Sequence, residues 1–168
     1  MEKKSRRNFL KWTGLGLASG SLVSKGYSFR GYLPWKKDDT PFNLGMASYT
    51  FREFSLENTL AMTTRLGLEL IAFKSFHLAL DSTEEEIRAV AAKVKAASLN
   101  LYGCGVVYMK NSQEVGQSFK YAQTAGMEII IGVPDHDLLD LVQQKVKEFD
   151  IKLAIHNHGP GDKVYPTP

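Results

Sequence analysis

Between residues 44 and 155 short apolar runs alternate with segments of helical spacing, and this alternation restricts the chain to very few folds. The runs lie at 44–49, 68–73, 99–107, 127–133 and 151–155. Each is of strand length, and they recur about every 24 to 31 residues, the size of a βα unit. The intervening segments carry helix signals. Ser55 opens a helix that closes at Gly67. Ser82-Thr83-Glu84-Glu85 reads as a capping box, followed by Ile87, Val90, Ala91 and Val94 on one helical stripe. Ser112 caps a third helix with Val115, Phe119 and Ala122 on one face, ending near Gly126. Asp135 caps a fourth, with Leu138, Leu141, Val142, Val146 and Phe149 in phase.

Strands alternating with helices argue for a parallel sheet with right-handed crossovers. Two architectures satisfy the pattern. One is a partial (β/α)8 TIM barrel of about five parallel strands and four helices. The other is a five-stranded doubly wound sheet. A complete barrel takes about 250 residues, so the barrel reading treats the 168 residues as its first half. Both folds bind ligands at the carboxyl ends of their strands. The turn after the first strand, Met46-Ala47-Ser48-Tyr49-Thr50-Phe51-Arg52, holds no glycine-rich phosphate loop, which argues against nucleotide binding.

The first residues have a different character. Residues 1–25 carry a net +5, so the chain's overall +3 leaves the remainder at −2. A mildly acidic body gives no support for nucleic-acid binding. Ser5-Arg6-Arg7-Asn8-Phe9-Leu10-Lys11 fills every position of the twin-arginine export pattern. The weakly apolar stretch behind it is too short and polar to span a membrane. We read residues 1–26 as a twin-arginine signal, 27–42 as a linker and 43–168 as the folded body. The expected partner is the twin-arginine export machinery, and the expected location is periplasmic or extracellular. The single cysteine, Cys104, excludes an intrachain disulfide and reads as a small packed residue between two glycines.

The last apolar run ends abruptly: Ile151-Lys152-Leu153-Ala154-Ile155-His156-Asn157-His158-Gly159-Pro160-Gly161-Asp162. Strand side chains alternate, so His156 and His158 fall on one face, with Cα atoms roughly 6 to 7 Å apart. Two imidazoles at a strand end suit a corner of a metal or sugar site. Other polar residues collect at the ends of the other strands. Tyr49 and Arg52 follow the first, Lys74 and His77 the second, Tyr108 and Lys110 the third, Asp135 and His136 the fourth. Lys74 is in phase with Ala72 on the face assigned inward. From these we take His156 and His158 as candidate metal ligands. Lys74, His77, Tyr49, His136 and Asp162 are candidate substrate contacts. No residue is assigned a catalytic role.

Lys74-Ser75-Phe76-His77-Leu78, Tyr102-Gly103-Cys104-Gly105-Val106, Ile131-Gly132-Val133-Pro134 and Ala154-Ile155-His156-Asn157-His158-Gly159 together resemble the sugar phosphate isomerase/epimerase family, the xylose isomerase-like TIM barrels. The resemblance covers residues 43–168 and is strongest to exported members with a twin-arginine signal. It implies a divalent metal (Mn, Mg, Co or Zn) that orients a hydroxyl-ketone pair, with carboxylates moving the proton. Many members end the fifth strand with a glutamate, where this chain has His156. That substitution lowers the anionic charge and favours Zn or a softer metal. The family's remaining ligands follow later strands, which leads us to expect a truncated chain. Three readings stay open: an isomerase or epimerase acting on a sugar, a lyase acting on a keto-glycoside by the same proton abstraction, and a non-catalytic carbohydrate-binding half barrel. A half barrel has unpaired edges, which a homodimer would cover.

Overall fold

The computed structural model describes residues 42–167. The twin-arginine segment and nearly all of the linker lie outside the described residues. The elements run β1 (Gly45–Ala47), a 3-10 turn (Ser48–Phe51), α1 (Leu56–Arg65), β2 (Leu70–Phe73), α2 (Glu84–Ala96), β3 (Asn100–Met109), α3 (Ser112–Ala125), β4 (Ile129–Pro134), a second 3-10 turn (His136–Leu138), α4 (Leu139–Phe149) and β5 (Lys152–Ile155).

The five strands form one sheet in the order β1-β2-β3-β4-β5, every pair parallel. This order decides between the two expected architectures. A doubly wound sheet reverses its direction of growth, which places helices on both faces. Here each strand is added on the same side of the last, so right-handed crossovers put all the helices on one face. Accordingly α2 packs on α3, α3 on α4, and α3 lies over β3 and β4. The fold is a partial (β/α)8 barrel, and the doubly wound alternative is overturned.

The helix-side core is filled by Ile71, Phe73, Met109, Val115, Phe119, Ala122 and Ile130, all fully buried. Tyr121 reaches out of α3 and donates its hydroxyl to the Leu78 carbonyl at 3.0 Å. Cys104 is buried in this core, and burial pushes its thiol up to about 12. That agrees with a packed residue rather than a nucleophile. The strand pairing shifts register at Ile71/Ala72 and at Gly105/Val107; a bulge of this kind bends and twists the strand that carries it. Glycine is required at Gly103, where a Cβ would lie 2.7 Å from the Ile129 carbonyl oxygen.

Several boundaries depart from the expected ones. The first strand pairs only over Gly45–Ala47. Beyond it the Ser48 hydroxyl accepts the Lys74 N–H at 2.9 Å, and the chain winds into the 3-10 turn that carries Tyr49. The capping box sits one residue later than Ser82: Thr83 N–H donates to Glu86 Oε2 (2.8 Å), and Glu86 N–H to Thr83 Oγ1 (3.3 Å). Ser82 N–H is already engaged by the Ala79 carbonyl, and a run of three glutamates offers a partner in either register. Asn111, not Ser112, caps α3 through Oδ1 on Glu114 N–H at 2.9 Å. Asp135 caps nothing with its side chain; it opens the short turn before α4. Among the described residues no helix is long and apolar enough to cross a membrane.

Candidate functional site

The site is built from the carboxyl ends of the strands. β5 is held in register by β4, and the ladder continues one step past its last residue, with His156 N–H donating to the Gly132 carbonyl at 2.9 Å. This step fixes the backbone of His156 at the mouth. Two residues on, His158 comes to the same side, and the two imidazoles meet edge to face with centroids 4.4 Å apart. The two rings share one side as expected, although β5 ends at Ile155 and His158 lies beyond the ladder with its N–H on the Tyr165 carbonyl.

Asp162 closes on this pair from the Gly-Pro-Gly turn. Its Oδ1 accepts the backbone N–H groups of Val164 and Tyr165, each at 2.7 Å. Its Oδ2 lies 2.8 Å from His158 Nδ1. Those two backbone donors are the main reason its carboxyl is held below the usual range, with His158 adding to the effect. Asp162 therefore spends its lone pairs on the protein, organising the site from behind.

His136 also belongs to this scaffold. Its Nε2 donates to the Val164 carbonyl at 2.8 Å, and its ring packs 4.8 Å from that of Tyr165. Tyr165 donates its hydroxyl to the Pro134 carbonyl at 2.8 Å. The loop carrying Asp162 is thus fastened to the end of β4 at two points.

Lys74 and Tyr49 form the other side of the mouth. The Lys74 ammonium lies 5.6 Å from the centroid of the exposed Tyr49 ring, which Arg52 approaches at 5.1 Å and Phe76 at 6.2 Å. The charge of Lys74 reaches His156. Desolvation first, then His158 and Lys74, lower the His156 pKa, against a smaller opposing pull from Asp162. These causes favour the neutral form of the His156 ring.

His77 lies elsewhere. It is buried, with Nε2 3.0 Å from Thr59 Oγ1 and 3.1 Å from the Phe54 carbonyl, and its ring packs on Phe73 and Phe76. The carbonyl requires a proton on Nε2, which leaves Nδ1 buried without a partner. This histidine ties α1 to the segment after β2 and makes no contact with the His156–His158 pair. A groove of about 410 Å³ opens between α2 and α3 at the opposite end of β3. Its lining is mainly apolar, with Lys95 its one ionisable side chain, so the strand-end cluster is the stronger site.

Among the described residues no three His, Cys, Asp or Glu side chains are grouped to hold a metal ion. His156 and His158 offer two imidazole nitrogens. The Asp162 carboxylate is already taken by three donors, and Lys74 brings like charge to the same mouth. Divalent sites of this class need at least three protein donors, so the residues present do not fit a complete one.

Ser48 and Tyr165 are the site residues that sequence reasoning missed. Ser48 is fully buried and holds the Lys74 backbone; nothing local marks it. Tyr165 follows a Gly-Asp pair, and an aspartate that bonds its own backbone two and three residues on is a recognisable turn signal.

Solved structures share this fold. An uncharacterized protein from Parabacteroides distasonis superposes with a TM-score of 0.66 at 23% identity, over 70% of this chain and 53% of that one. A D-psicose 3-epimerase solved in the presence of D-fructose gives 0.59 at 13% identity, over 75% and 56%. A xylose isomerase domain containing protein from Salmonella typhimurium gives 0.52 at 14%, over 73% and 51%. The chain spans about half the length of these structures. At such identities the likeness establishes the fold alone, a partial (β/α)8 barrel. No family model and no curated protein matches the chain.

Proposed function

We propose that the protein binds a keto-sugar at the carboxyl ends of its strands and exchanges a proton on the carbon beside the carbonyl, as an isomerase or epimerase does. The observation that carries this reading is the His156–His158 pair, 4.4 Å between centroids, at the end of β5. A neutral imidazole is a competent base near neutral pH. In the proposed step it takes the proton from the substrate carbon, the electron pair moves into the carbon–carbon bond, and the carbonyl oxygen gains the charge. The Lys74 ammonium faces that developing charge across the mouth. The exposed Tyr49 ring supplies a flat surface for the C–H face of the sugar. No step is routed through a metal, because the residues present do not complete a shell for one.

The test is hydrogen exchange. The protein is incubated with D-fructose in D2O, and deuterium at the carbons beside the carbonyl is followed by NMR. Exchange is expected above background and is lost in His156→Ala/His158→Ala. Equal exchange by the double variant refutes the reading. The second reading, carbohydrate binding without turnover, is favoured by the engagement of Asp162 with the protein itself. Saturable D-fructose binding without exchange would establish it.

A further inference from the structure

We infer that Asp162 is the positioning residue of a carboxylate–imidazole dyad, and that His158, through an Nε2 with no hydrogen-bond partner among the described residues, is the proton acceptor of the site. The inference rests on the proton-exchange reading above and names which imidazole performs it.

The segment after Gly159 is fastened to the end of β4 by His136 Nε2 on the Val164 carbonyl and by the Tyr165 hydroxyl on the Pro134 carbonyl. His158 N–H adds a bond to the Tyr165 carbonyl at 3.3 Å. Within this fastened loop Asp162 Oδ1 is held by two backbone N–H groups, so the carboxylate cannot turn without breaking both. Oδ2 is then aimed at His158 Nδ1 at 2.8 Å. An ionised carboxylate only accepts, so Nδ1 must carry the proton. In the neutral ring the lone pair is then on Nε2, the outer nitrogen. The His158 side chain is 41% exposed while that of Asp162 is 16% exposed, so the imidazole is the member a ligand reaches.

An orienting carboxylate behind an imidazole does two things. It selects the tautomer, and it stabilises the imidazolium that forms when the outer nitrogen takes a proton. His156 has no carboxylate behind it among the described residues. Its role is contact with the ring of His158 and with substrate oxygen.

The experiment is ¹⁵N NMR of the ligand-free protein, labelled at histidine, at pH 8. His158 is expected as the Nδ1–H tautomer, with a pyrrole-like Nδ1 and a pyridine-like Nε2. In Asp162→Asn the side-chain oxygen keeps the two backbone donors and the amide NH2 turns to Nδ1, so the tautomer reverses to Nε2–H. A wild-type His158 that is Nε2–H, or an even mixture, overturns the inference even if no variant folds. So does an unchanged tautomer in folded Asp162→Asn. Because no sugar is present, the result is separate from the exchange experiment. A dyad without exchange would leave the Asp162–His158 tautomer assignment standing and would remove His158's role as proton acceptor together with the functional reading.

Discussion

Removing one hydroxyl, in Ser48→Ala, tests how the mouth is held open. Ser48 is fully buried at the point where β1 leaves the sheet, and its Oγ accepts the Lys74 N–H at 2.9 Å. Among the described residues no other acceptor for that N–H is seen. Alanine leaves the donor unsatisfied, which costs about 1–3 kcal/mol for a buried group. Lys74 is half-buried, so water recovers part of this, and we expect about 1–2 kcal/mol. For a domain of this size that corresponds to a drop in Tm of about 4–8 °C. Urea unfolding checks it: the midpoint should fall with m unchanged, since the surface exposed on unfolding is the same. The Lys74 ammonium should also lose its fixed place over Tyr49, and on the proposed function D-fructose binding should weaken in the same variant. A stability loss under about 0.5 kcal/mol with unaltered m would refute the reasoning, because the bond would then not be the one holding the strand end.

Two further outcomes are expected. Asn111→Ala should cost about 1 kcal/mol, while Ser112→Ala should be near neutral, since only Asn111 caps α3; the reverse order in urea unfolding would contradict the cap assignment. The His156 ring should titrate below the ordinary 6.5, and Lys74→Met should move the midpoint up, as followed by NMR of its ring proton. With the folded pKa below the unfolded one, the unfolded chain binds more protons between the two. The resulting stability is present above pH 6.5 and is lost as the pH falls through the folded value; a midpoint above 6.5 reverses that sign and the assignment.

Much of the scaffold was legible because its signals are local. The five runs and the stripe from Val115 to Ala122 follow from periods of two and of three to four residues, and the cap at Gly126 from the left-handed turn that glycine allows. The misplacements were of the same local kind. Ser82 and Ser112 each stand beside the true cap, and composition alone does not choose between neighbours.

The histidines divide differently. His77 and His136 were grouped with the site because each follows a strand, yet both serve the scaffold. His77 is claimed by Thr59 and Phe54, 18 and 23 residues away, and His136 by Val164, 28 residues away. Lys74 is placed by Ser48 across 26 residues. Local pattern carries the alternation of strands and helices, the approximate place of each, and two imidazoles at one strand end, since these depend on neighbours a few bonds apart. The strand order, the burial of His77 and the turning of Asp162 towards His158 came with the packed fold. Those outcomes depend on which distant groups the packed sheet brings within hydrogen-bonding distance, and no local pattern carries that distance.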